Sequence, residues 1–238
     1  MKNKEVEITY IGHSTFILDD KKGTRLLVDP WLKDNPACPK DLQEPKDIDY
    51  ILITHGHFDH IGDLFTACDI NKDAKVITSL EVSTWLNGKG ISNTLPMGIG
   101  GSQPIDNNIK VTMVNAVHGS GIANESSEGM IYGGVANGYI LKFENGFTIY
   151  LAGDTAIFSD MKLIGDIYSP DLSVLPIGDH FTMGPLEASY ATKLLGSKNV
   201  IPFHYGTFPV LVGTPEEYIK LISDLDVNVY VMNPGDVL

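Results

Sequence analysis

Thr54-His55-Gly56-His57-Phe58-Asp59-His60 packs three imidazoles and a carboxylate into six positions, in the pattern H-x-H-x-D-H. It follows directly on Asp49-Tyr50-Ile51-Leu52-Ile53, a short apolar run rich in β-branched and aromatic residues, which reads as a buried strand. On a helix, residues two apart would not share a face. On a turn after a strand, His55 and His57 can point at one centre while Asp59 and His60 point at a second. Such a turn presents metal ligands at the edge of a sheet.

The same arrangement recurs along the chain. The sequence predicts strands over 110–117, 147–151, 171–176 and 199–203. They run into His118, Gly153-Asp154, Asp179-His180 and His204 respectively. Earlier strands are predicted over 7–11, 15–18, 25–28 and 75–78, with His13 in the turn between the first two. Helices are predicted near 61–69, 81–86, 186–195 and 215–225, and a last strand over 228–232. Six of the seven histidines thus stand in or just after strand ends. Strand ends on one edge of a sheet converge in space, so scattered positions in sequence read as one site.

Composition bounds the answer. The chain has 238 residues, 43% of them hydrophobic and 20% charged, which are globular values. The net charge is −13, and Arg25 is the single arginine. A nucleic-acid enzyme normally carries a basic stripe, so RNA and DNA are disfavoured as partners. Two cysteines, Cys38 and Cys68, make no disulfide framework. Neither a signal-peptide pattern nor a long apolar run is present, so a cytoplasmic protein without a membrane partner is expected. Gly/Ser/Pro-rich linkers are absent too, and residues 1–238 read as one domain of two β-rich halves with helices on the outer faces. A homo-oligomer is left open.

A two-metal hydrolytic site needs neutral imidazoles, charge-balancing carboxylates and an open position for water. His55, His57 and His118 are assigned to one ion and Asp59, His60 and His204 to the other, with Asp154 between them. The glycine before Asp154 permits a close backbone approach. Nitrogen and oxygen donors without thiolate suit zinc, which leads, or manganese, iron or nickel. Asp59 would also orient the attacking water.

Beyond these motifs the chain resembles the metallo-β-lactamase superfamily over essentially its whole length. H-x-H-x-D-H at 55–60, then His118, Asp154 and His204, match that superfamily's metal motifs in order. Gly12-His13-Ser14-Thr15-Phe16, Tyr132-Gly133-Gly134 and the run Pro176 to Pro185 are similar to a bacterial and archaeal metal-dependent hydrolase group related to L-ascorbate 6-phosphate lactonase. The resemblance implies an α+β fold, a four-layer αββα sandwich with a dinuclear site at one edge. It departs from the group's pattern at Gly119, where Ser is expected, and at Asp179, where Gly is expected.

The expected activity is metal-dependent hydrolysis of a small ester, lactone or phosphoester. His180 would bind substrate and protonate the leaving group, and His13 would bind substrate. Asp29 would hold a metal-binding histidine by a hydrogen bond. The Gly/Ser/Asn-rich stretch 119–137 reads as a long loop forming a wall or lid over the metals. The alternatives are an RNA 3′-end or phosphodiester hydrolase, a di-iron redox protein and a non-catalytic metal-binding protein.

Overall fold

A computed structural model describes residues 6–124 and 129–238. These cluster into two compact units, each assembled from separate stretches of chain.

Among the described residues, the first unit holds 6–99, 119–124, 129–136 and 233–238. Its sheet has six strands in chain order: β1 (Val6–Gly12), β2 (Thr15–Asp20), β3 (Thr24–Val28), β4 (Tyr50–Leu52), β5 (Lys75–Ser79) and β6 (Thr94–Met97). β2 runs antiparallel to both β1 and β3, and β3 to β6 are parallel neighbours. β1 therefore points the same way as β3 and β4. Their carboxyl ends share one edge, and they deliver His13, Asp29 and the His55 turn there. Helices α1 (Phe58–Ile61), α2 (Leu64–Ile70) and α3 (Leu80–Gly88) follow the strands. Ile17, Leu27, Ile51, Ile53, Leu64, Val76 and Leu86 form the buried core. Continuous apolar strands of this kind are what a parallel sheet requires.

The second unit holds residues 100–118 and 137–232 as its main segments. It contributes β7 (Ser102–Pro104) and β8 (Lys110–Asn115). The first unit takes the chain back for β9 (Gly121–Ala123) and β10 (Met130–Tyr132), before β11 (Asn137–Lys142), β12 (Thr148–Leu151), β13 (Leu172–Pro176), β14 (Asn199–Phe203) and β15 (Asn228–Val229) complete the second sheet. The order of that sheet is β15-β14-β13-β12-β11-β8-β7. β11 is antiparallel to β8 and to β12, while β12 to β15 are parallel. β8, β12, β13 and β14 thus share a direction, and His118, Asp154, His180 and His204 all follow carboxyl ends on one edge. Helices α4 (Met161–Tyr168), α5 (Pro185–Leu195) and α6 (Pro215–Leu221) pack on this sheet, with Tyr150, Met161, Leu175, Ala188 and Tyr218 in the core. The Gly184 N–H, just before α5, donates to Glu187 Oε2 at 3.2 Å, and Gly196 (φ 65°) ends the helix in the left-handed region.

Three features differ from the sequence reading. The stretch 119–137 is not an open loop. β9 and β10 pair in antiparallel register, with Ile122 opposite Ile131. Residues 125–128 at its tip lie outside the described residues. Ile122 is buried in the first unit's core and Ile131 packs against it. Two isoleucines suffice to seat the hairpin, and the Gly/Ser/Asn background hides them. β6 and β7 were not legible because Pro96 and Pro104 interrupt their strand pattern. Both strands are sheet edges, the place where proline is tolerated. Helix α4 is the third element absent from the sequence reading. Among the described residues, no helix is long and apolar enough to cross a membrane.

Candidate metal centre

In the first unit the H-x-H-x-D-H segment leaves β4 as an extended turn. His57 (φ −71°, ψ 153°) caps the short helix α1, which carries Asp59 and His60. His55 and His60 are buried, while Phe58 between His57 and Asp59 is 58% exposed. His55 Nε2 and His57 Nδ1 face each other at 3.0 Å. His13, Asp59 and His60 likewise present ligand atoms within 4.8 Å of one another.

A buried carboxylate fixes two of these rings. Asp29 Oδ1 accepts the Thr54 backbone N–H at 2.8 Å, and its Oδ2 accepts the Thr54 hydroxyl at 2.7 Å. The same Oδ2 lies 2.8 Å from His60 Nδ1. His60 Nδ1 must then carry the proton, which leaves Nε2 without one. Thr54 Oγ1 is also 3.0 Å from His55 Nδ1. The Thr54 proton is already given to Asp29, so His55 Nδ1 is the donor and His55 Nε2, which faces His57 Nδ1, carries no proton. One aspartate thereby sets both tautomers, directly and through a hydroxyl. Burial raises the Asp29 carboxyl above its ordinary range. The facing His60 charge, the His60 hydrogen bond and the two Thr54 hydrogen bonds pull it back down. Asp29 was legible as a candidate, but Thr54 was not.

In the second unit Asp154 follows β12 through Gly153 (φ 63°), a conformation glycine adopts without strain. Asp154 is 2% exposed. Its Oδ2 lies 3.0 Å from His204 Nε2 and 3.6 Å from His118 Nε2. His118, Asp154 and His204 therefore converge. The His118 and Asp154 turns are tied by Ala156 N–H to Val117 O at 3.0 Å and by Val117 N–H to Thr155 Oγ1 at 2.9 Å. Met183 N–H donates to Thr155 O at 3.0 Å, which fastens the Asp179-His180 turn to the same place. Asp179 and His180 are both exposed. The His180 backbone N–H donates to Asp179 Oδ1 at 2.7 Å, and its ring stands edge-on to Phe181.

Backbone strain marks the same residues. Nine described non-glycine residues have positive φ, and five of them are His13, Asp29, Asp179, His180 and His204. Non-glycine residues in this region cost free energy and gather where a side chain must be aimed.

The donors fit a metal centre. All are imidazole or carboxylate, several pairs stand at 3.0 Å, and outer hydrogen bonds orient the rings. Residues 24–205 match the beta-lactamase superfamily domain. A UPF0173 metal-dependent hydrolase of Koribacter versatilis is 48% identical over 233 residues, which is 97% of each chain. The chain belongs to this superfamily. Within it, the chain is a metal-dependent hydrolase of the UPF0173 group, and a second such relative, from Rubrobacter xylanophilus, is 46% identical over 97% of this chain and 95% of its own. Its metallo-β-lactamase fold is shared with a solved structure, the metallo hydrolase Igni18 of Ignicoccus hospitalis. That likeness has a TM-score of 0.83 at 33% identity and covers 98% of this chain and 97% of the other.

Proposed function

We propose that this superfamily member is a dinuclear hydrolase of a small ester, lactone or phosphoester. The observation that carries the reading is the donor chemistry at the two strand edges. One holds His55, His57, Asp59 and His60, and the other holds His118, Asp154 and His204. In this reading His55, His57 and His118 hold one ion, Asp59, His60 and His204 hold the second, and Asp154 serves both. Zinc leads, with manganese, iron and nickel as the alternatives. Two such cations supply Lewis acidity and a water acidified towards neutral pH.

The chain's own residues do the rest. Asp29 and Thr54 hold the His55 and His60 rings with their protons on Nδ1. Asp59 orients the attacking water. His180 is exposed on a strained turn and has no metal donor beside it in its turn except Asp179. That placement suits a group that meets the leaving atom and gives it a proton. The net charge of −13 and the single arginine favour a small substrate over a nucleic acid. Cys38 and Cys68 are both free, in keeping with a reducing, cytoplasmic location.

The test is metal analysis of protein purified without added metal, followed by ester, lactone and phosphodiester assays with each ion. The expected result is two bound ions and turnover with at least one substrate class. His180→Ala should lower kcat by about 10²–10⁴-fold with metal content intact. A protein that binds no metal, or a His180→Ala variant that loses it, overturns the reading.

A further inference from the structure

His13 lies in the turn between β1 and β2, and it is 0% exposed. Its Nε2 stands 3.0 Å from Asp59 Oδ2, across 46 residues of sequence. The turn that aims it is unusual. β1 bulges between Tyr10 and Gly12, and Gly12 has φ +125°, with a Cβ there meeting Ala37 Cβ at 2.9 Å. His13 itself is left-handed at φ 56°. The Tyr10 hydroxyl donates to the His13 carbonyl at 3.2 Å, and the Trp31 ring meets the imidazole edge-on with centroids 5.0 Å apart. A backbone bulge, a required glycine, a strained histidine and two aromatic side chains all fix one ring against one carboxylate.

Burial says which role this serves. The His13 side chain is sealed, whereas that of Asp59 is 13% exposed. Asp59 is therefore the accessible member of the pair, and a substrate could reach it but not the sealed imidazole. We infer that His13 is a positioning residue for Asp59. Its Nε2–H donates to Asp59 Oδ2, so that Oδ1 would be the oxygen offered to the second ion. The inference rests on the ligand assignment proposed above for Asp59. It replaces direct substrate binding as the role of His13.

The test compares two substitutions. Asn tolerates the left-handed backbone at position 13, but its amide is too short to reach Asp59. Gln carries an N–H donor at about the reach of imidazole Nε2. Zinc affinities of both sites are measured by competition with a chromophoric chelator, with melting of the metal-free proteins as the fold control. His13→Asn should weaken the second site by about 10–100-fold and spare the first, as loss of an outer hydrogen bond does. His13→Gln should recover most of that loss. In the cobalt-substituted protein, the visible absorption of the second site should shift in His13→Asn and return in His13→Gln.

Wild-type affinity in His13→Asn overturns the inference, as does a His13→Gln as weak as His13→Asn. Complete loss of the second ion in both variants would make His13 a ligand and overturns it too. A measurement on the wild-type protein avoids any folding defect. With ¹⁵N-labelled histidine, the His13 proton must sit on Nε2 in both metal-free and zinc-loaded forms, and a proton on Nδ1 alone overturns the assignment. A wild-type chain that binds fewer than two ions removes the dinuclear reading itself. Two ions with an unaffected His13→Asn removes only the role of His13.

Discussion

Asp29→Asn isolates what the buried carboxylate does, because asparagine suits the left-handed backbone at this position (φ 45°) and keeps the side-chain shape. The amide has one acceptor where the carboxylate has two. If its oxygen takes the Oδ1 place, it still accepts the Thr54 N–H. Its NH₂ then faces Thr54 Oγ1 and His60 Nδ1, the groups that stand 2.7 and 2.8 Å from Oδ2. Both must become acceptors. The His60 proton moves to Nε2, and the released Thr54 hydroxyl donates to His55 Nδ1, 3.0 Å away, so that ring switches as well. The ligand nitrogens of both rings are then blocked by protons. If the amide oxygen takes the Oδ2 place instead, the NH₂ opposes the Thr54 N–H. That leaves a buried donor unmet, at about 1–3 kcal/mol. The variant should therefore fold and bind metal about 10–100-fold more weakly, or about 1.4–2.8 kcal/mol. Because His55 and His60 are assigned to different ions, both sites should weaken. Chelator competition with zinc gives the affinities, and circular dichroism of the metal-free protein reports the fold. Two ions bound at wild-type affinity would refute the tautomer argument. So would a loss of metal that merely follows unfolding of the metal-free form.

Asp154→Ala should abolish hydrolysis and reduce metal content, chiefly at the second site, while circular dichroism stays native because the strands around it carry the core; full occupancy with activity retained counts against the shared-ligand role. Gly178→Ala places a Cβ 1.9 Å from the His204 carbonyl oxygen, so β14 must shift. The expected cost is about 1–3 kcal/mol in denaturant unfolding, with weaker metal binding through the displaced His204. Ser120→Ala removes the hydroxyl that accepts the Gly56 N–H at 3.1 Å and donates to Gly133 O at 2.8 Å. It should cost about 1–3 kcal/mol and speed hydrogen exchange at Gly56, whereas unchanged exchange would show the hairpin root is held otherwise. Burial pushes the Cys38 and Cys68 thiols up from 9.0 to about 11. At pH 8 the thiolate fraction falls about a hundredfold, so alkylation of native protein should be slow, rising only as the pH nears 11, and fast once denaturant is added. Rapid native labelling at pH 8 would contradict that.

Much of the candidate site was legible because its donor pattern is a matter of residue type at strand ends. His55, His57, Asp59 and His60 are neighbours in sequence, and an apolar strand before them says where they stand. His118, Asp154 and His204 each follow an apolar run in the same way, and the structure brings these three together around the Asp154 carboxylate. Strand alternation and apolar runs are local properties, so they survive in a linear reading. Proline-bearing edges and a hairpin seated by two isoleucines do not, because only their neighbours stabilise them.

The partners of these donor residues belong to a different order of information. Asp29 reaches Thr54 across 25 residues and His60 across 31, and His13 reaches Asp59 across 46. No spacing rule links those positions. They meet because β1, β3 and β4 run in one direction in a single sheet, and because left-handed turns at His13 and Asp29 aim the side chains back along its edge. The sequence by itself determined the chemistry of the donors and the family of folds that gathers them. Only the tertiary structure decided which nitrogen of each ring carries the proton and which carboxylate holds it, because a hydrogen bond depends on position to within a few tenths of an ångström, and strand register sets that position.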